Sequence, residues 1–121
     1  MIQTKEKIKV MRAEDLPIQI GKEVQMKGMS IALFRLSNGD IRAVENRCPH
    51  KNGPLAEGIV SGEFVFCPLH DWKISLLTGE VQKPDDGCIQ TYEVEVIDGD
   101  IYIYIYVIYK RKPPWLPFKE K

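Results

Sequence analysis

Both histidines of the chain and two of its three cysteines fall in two short segments, Cys48-Pro49-His50 and Cys67-Pro68-Leu69-His70. The pattern is Cys-x-His, sixteen intervening residues, then Cys-x-x-His. Each segment offers one thiolate and one imidazole. Two chemistries fit this donor set. Two thiolates and two imidazoles can hold a single tetrahedral zinc. Alternatively, Cys48 and Cys67 hold one iron of a [2Fe–2S] cluster while His50 and His70 hold the other, which makes the cluster less negative and raises its potential. The bland alternative is two unrelated turns with satisfied thiols and surface histidines. It is weakened because no histidine lies outside the pattern.

A site divided between two segments needs a scaffold that brings them together, and the surrounding pattern is β throughout. Ile31 to Leu36 and Ile41 to Val44 flank Ser37-Asn38-Gly39-Asp40, and Asn-Gly between apolar runs is a strong hairpin signal. A second hairpin is expected from Gly58–Val60 and Phe64–Phe66 around Ser61-Gly62-Glu63, directly between the two segments. A third is expected from Ile74–Leu77 and Val81-Gln82 around Thr78-Gly79-Glu80. The fourth joins Tyr92–Ile97 to Ile101–Val107 through Asp98-Gly99-Asp100. In its last strand Ile101, Ile103 and Ile105 alternate with Tyr102, Tyr104 and Tyr106, so the isoleucines face a core and the tyrosines the other side. Helical signal is confined to a short turn over Arg12–Leu16 before Pro17. From Lys110 onward, Pro113-Pro114-Trp115-Leu116-Pro117-Phe118 cannot continue a paired strand and reads as an extended arm. The fold class is all-β, a small antiparallel sandwich or barrel.

With 121 residues the chain is one domain, and at 44% hydrophobic it has enough apolar residues for a core. Seventeen basic residues balance seventeen acidic ones, which argues against nucleic-acid binding. No apolar run reaches the ~20 residues of a membrane helix, and the charged start Thr4-Lys5-Glu6-Lys7 is unlike a signal peptide. A cytoplasmic protein is expected. An odd number of cysteines fits a disulfide framework poorly, so the thiols are expected free or metal-bound.

The paired motif resembles the Rieske [2Fe–2S] superfamily. The wider stretches Cys48–Gly58 and Cys67–Lys73, with Thr78–Cys88, are most similar to the Rieske-type small subunit of assimilatory NAD(P)H nitrite reductase. The similarity spans roughly residues 8 to 106. The resemblance implies a domain over 1–108 with a β-sandwich or barrel base and an inserted cluster-binding subdomain near 46–73, and the Pro-rich tail over 109–121 lies beyond it. Cys48 and Cys67 would hold the buried iron, and His50 and His70 the outer, redox-active one. Gly53, Pro54 and Leu55 would shape the first cluster loop, Pro68 the second, and Pro84 a third loop over the cluster. High-potential relatives carry a disulfide between the two cluster loops, at positions that correspond to Gly53 and Leu69 here. They also carry hydroxyl donors where this chain has Trp72 and Ile74. Fewer donors imply a potential near the bottom of the Rieske range, roughly −150 mV.

The implied function is one-electron transfer beside a large subunit in the reduction of nitrite to ammonia, the chain not being catalytic alone. Its partner would be that large subunit or another redox protein. The alternatives are a free ferredoxin serving a ring-hydroxylating oxygenase and a zinc-stabilised interaction module. Among the remaining residues, Cys88 is expected to be a small buried residue near the third loop rather than a reactive thiol. Trp72 is expected to pack beside the second loop. Lys51 and Lys73 are expected to be solvated surface, and Asp85-Asp86-Gly87 a turn.

Overall fold

Strand-forming residues dominate, and the computed structural model contains nine strands among the residues it describes, 2–26, 28–49, 53–69, 72–111 and 114–115. They are β1 (Ile2–Arg12), β2 (Lys22–Met26), β3 (Met29–Arg35), β4 (Ile41–Glu45), β5 (Ile59–Ser61), β6 (Phe64–Phe66), β7 (Lys73–Ser75), β8 (Thr91–Ile97) and β9 (Asp100–Tyr109). A six-stranded sheet runs β1-β9-β8-β4-β3-β2, and a three-stranded sheet runs β5-β6-β7. Every strand pairing is antiparallel. The all-β antiparallel expectation holds.

The larger sheet curls because β4 and β8 pair only at Ala43–Tyr92 and Val44–Thr91, a narrow seam between two wider ladders. The second sheet is inserted at that seam, in the chain between β4 and β8. Strand β3 is the wall between two cores. Its run Ile31-Ala32-Leu33-Phe34 is wholly buried, which is why it reads as continuous apolar sequence rather than alternation. Ile31 and Leu33 join Ile101, Ile103 and Ile105 in one core. Ala32 and Phe34 point the other way, into the core that holds Cys48 and Cys67.

Three of the four expected hairpins form in register. The last closes with Asp98 at φ 51° and Gly99 at φ 81°, the two left-handed residues of a type I′ turn. The third expected hairpin does not form as a ladder. After Ser75 the chain leaves the strand, because the Ser75 hydroxyl accepts from the Leu77 and Thr78 amides and its carbonyl accepts from Gly79. The expected pairing shortens to one bridge, Ile74 with Val81, in which the Gln82 amide donates to the Lys73 carbonyl at 2.8 Å and the Ser75 amide to the Glu80 carbonyl at 3.0 Å, while β7 pairs with β6 along its other edge. Two strands were not anticipated. The lysine-rich β1 reads as polar sequence, yet Lys5, Lys7 and Lys9 simply point outward from an edge strand that covers the length of β9. Such lysines also keep an open edge from pairing with other chains. The turn expected over Arg12–Leu16 is a 3-10 turn at Ala13–Asp15.

Ile101, Ile103 and Ile105 of β9 are buried and Tyr102, Tyr104 and Tyr106 lie on the other face, as the alternation required, whereas Ile108 near the strand's end is exposed. The outer face is a ladder of paired charges and rings. Lys5 lies 2.8 Å from Glu93 across β9, Lys7 lies over the Tyr102 ring, and the Tyr104 hydroxyl donates to Glu95 at 2.8 Å. Beyond Tyr109 the Trp115 ring packs edge-on against the Tyr109 ring at 5.9 Å. Leu116, Pro117 and Phe118 lie outside the described residues.

Candidate metal centre

The two segments leave the ends of neighbouring elements. Cys48 lies three residues past the end of β4, and its amide donates to the Gly53 carbonyl at 2.8 Å, closing the first loop on itself. Cys67 follows β6 directly, and its amide donates to the Trp72 carbonyl at 2.9 Å, closing the second. Both cysteines are 0% exposed, both are free of disulfides, and both belong to one apolar cluster with Phe34, Leu55, Val65 and Ile74. His50 and His70 lie outside the described residues.

The loops meet at Gly53. A Cβ built there would lie 3.0 Å from Cys67 Sγ and 3.1 Å from Leu69 Cδ1, tighter than side-chain carbons normally approach. Position 53 thus faces position 69. The third loop closes on the first, where a Cβ built on Gly87, at φ 133°, would stand 3.4 Å from the Pro49 ring, and the Gly87 carbonyl accepts from the Val81 amide at 2.9 Å. Pro84 lies in this loop and is exposed.

Trp72 is half-buried against the cysteine-containing core, as expected. Lys73 is exposed with its ammonium 4.3 Å from the Phe64 ring centroid, and Lys51 lies outside the described residues. The turn over residues 85–87 is displaced. Lys83 and Pro84 make the turn and Asp85 the bend after it. Cys88 corrects the expectation of a buried side chain, since it is exposed. It bridges to Glu80, and the β alternation then turns the neighbouring Ile89 into the core in its place.

Polar residues beside the motif went unread in the sequence. Glu45 accepts from the Gln90 amide at 3.0 Å and from the Arg47 guanidinium at 2.8 Å, fastening the end of the third loop to the start of the first. Asn46 joins that first loop to β3. The available signal was position alone, polar side chains at a strand end next to a ligand motif. An open groove of about 710 Å³ borders this corner, lined by Glu45, Asn46 and Arg47 and by Tyr92, Glu93 and Tyr106 opposite.

A charged ligand pair in an apolar core needs a metal to compensate its charge. The fully buried, disulfide-free pair and the glycine that leaves room over Cys67 Sγ therefore fit a metal cluster. Among the described residues no three histidine, cysteine, aspartate or glutamate side chains converge, and both motif histidines lie outside that set.

Comparison with known proteins agrees with this site. The family model of the Rieske [2Fe-2S] domain matches residues 6–93. The ferredoxin subunit of 3-phenylpropionate/cinnamic acid dioxygenase from Photorhabdus laumondii is 37% identical over 98 residues, 79% of this chain and 91% of that protein. The 4beta-methylsterol monooxygenase of Methylococcus capsulatus is 40% identical over 73 residues, 60% of this chain. This chain spans only 17% of that protein's length, and 18% and 16% of the chloroplast TIC 55 proteins of Arabidopsis thaliana and Pisum sativum. A solved structure assigned as the NADPH nitrite reductase small subunit superposes with a TM-score of 0.72 at 29% identity, covering 81% of this chain and 97% of that one. No helix among the described residues is long and apolar enough to cross a membrane. The family match over most of the chain, set on a core that buries Cys48 and Cys67 in one apolar cluster, makes this protein a member of the Rieske [2Fe-2S] family, a Rieske-domain electron carrier whose cofactor is a Rieske-type [2Fe–2S] cluster.

Proposed function

We propose that the chain is the small, electron-carrying subunit of a cytoplasmic NAD(P)H-dependent nitrite reductase, with Cys48, Cys67, His50 and His70 as cluster ligands. On this reading the cluster-binding subdomain covers about 46–73 and the Pro-rich tail 109–121. The observation that carries the site is the pair of fully buried cysteines in one core, neither of them in a disulfide. When bound, the cluster takes up and releases one electron at a time. Cys48 and Cys67 would hold its inner iron and neutralise part of its charge. The histidines would hold the outer one, toward which a partner docks. Gly53 admits the sulfur of Cys67, and the Cys48 and Cys67 amides are committed to backbone carbonyls, leaving fewer donors to stabilise the reduced state.

The nitrite reductase assignment draws on the motif stretches Cys48–Gly58 and Thr78–Cys88 and on likeness to a small-subunit structure. A second reading, a ferredoxin that feeds a ring-hydroxylating oxygenase, has equal support from the dioxygenase ferredoxin subunit covered over 91% of its length. Reconstitution decides between them. The anaerobically purified protein is mixed with a sirohaem large subunit and NAD(P)H, and separately with an oxygenase and a flavin reductase. Stimulated ammonia formation only in the first mixture is expected. Coupled turnover only in the second would overturn the assignment and leave the carrier role standing. A colourless protein that holds zinc after reconstitution with iron and sulfide would remove the ligand assignment itself.

A further inference from the structure

Asn46 stands two residues before Cys48, where β4 gives way to the first loop, and is half-buried. Its Oδ1 accepts from the Ala56 amide at 2.8 Å, ten residues ahead. Its Nδ2 donates to Ser30 Oγ at 3.0 Å and to Glu23 Oε2 at 3.3 Å. Its own amide donates to the Ser30 carbonyl at 3.1 Å. The Glu23 carboxylate is held in turn by the Ser30 hydroxyl and the Gln25 amide. A single side chain therefore ties both ends of the 46–56 segment to β2 and β3. Ala56 is pressed against the base as well, since a Cβ on Gly21 would stand 2.3 Å from the Ala56 carbonyl oxygen.

We propose that Asn46 is the positioning residue of the first cluster loop, holding Cys48 and His50 in place by closing the loop on which they sit. The inference rests on the reading of those two residues as ligands. The position needs an acceptor and a donor at once, which an amide supplies. Aspartate keeps the acceptor for Ala56 but sets a second carboxylate against Glu23. Exchanging the two groups, Asn46→Asp together with Glu23→Gln, restores a donor opposite an acceptor with net charge unchanged. Outer hydrogen bonds of this kind orient ligands and tune the metal they hold.

The test compares the holoprotein with Asn46→Ala, Asn46→Asp and the exchanged pair. It reads the EPR spectrum of the dithionite-reduced state, the reduction potential and the rate of iron release to a chelator. Ile103→Val, in the other core, serves as a control matched for thermal stability. Both single variants should shift or broaden the EPR signal and lose iron about tenfold faster, while the exchanged pair returns to the wild-type spectrum and rate. The control should keep both. Wild-type spectra and rates in both single variants would overturn the proposal, as would iron loss that follows melting temperature equally in the control. If neither single variant loads a cluster, the exchanged pair decides, and its failure to load also overturns the proposal. A wild-type protein without iron would remove the ligand reading beneath it, a different outcome.

Discussion

Cys67 Sγ has no room for a methyl group on Gly53, and the consequence is measurable. Gly53→Ala forces the two cluster loops apart by a few tenths of an ångström. Overpacking of this sort costs about 1–3 kcal/mol. The variant should purify with less iron per chain and a lower thermal midpoint. Ligand assignment is tested beside it. Cys48→Ser and Cys67→Ser should each abolish the Rieske EPR signal, whereas Cys88→Ser should keep full iron content, because Cys88 is exposed on the far side of Ile89 and pairs with Glu80. Loss of iron in Cys88→Ser would mean that the third thiol takes part in the site.

At the scale of elements, β3 is the member that couples scaffold to site. Phe34 is fully buried in the core that carries both cysteines, and Ile103 is fully buried in the other. Truncating a buried phenylalanine costs about 3–5 kcal/mol, and a buried isoleucine about 2–5 kcal/mol. Phe34→Ala should therefore destabilise the fold and also speed iron loss. Ile103→Ala should lower stability by a similar amount while leaving the EPR g-values at their wild-type positions, as denaturation and spectroscopy on the same samples will show. Equal spectral change in both would indicate that the two cores act as one.

Over the whole molecule, alkaline pH probes the outer face of the sheet. The Tyr104 hydroxyl donates to Glu95 and the Tyr109 hydroxyl to Glu6, and these bonds raise both phenols above the ordinary 10.0. Burial raises Tyr92 as well, and the bond to Glu93 raises Lys5 above 10.5. A group whose pKa is raised by folding stabilises fully below its unfolded value and loses that contribution as pH climbs through the folded one. Stability should therefore be level from neutral pH to about 9 and fall above about 10, with Tyr104→Phe weakening the fall. Denaturation midpoints across that range, with tyrosinate absorbance, provide the measurement. A redox titration tests the cluster's surroundings in the same molecule. With no hydroxyl at Trp72 or Ile74, the midpoint is expected near the low end of the Rieske range, roughly −150 mV.

What the amino-acid order determined alone is local chemistry. The ligand motif stands at fixed spacing, the Ile/Tyr alternation needs only the two-residue period of a strand, and the turns at Asn38-Gly39 and Asp98-Gly99 need only residues that tolerate left-handed backbone. These follow from covalent geometry and near neighbours, so they are legible without a fold. Burial and long-range partnership are not. Lysine-rich β1 becomes a strand because β9 offers it a ladder, and β7 pairs with β6 along one edge while the expected hairpin on its other edge shortens to the Ile74–Val81 bridge. Cys88 is turned outward by its bridge to Glu80, and Asn46 matters only once Ala56 and Ser30 are brought beside it. Each of these outcomes depends on which distant backbone competes for the same hydrogen bonds and apolar surface, and the tertiary structure alone decides that competition.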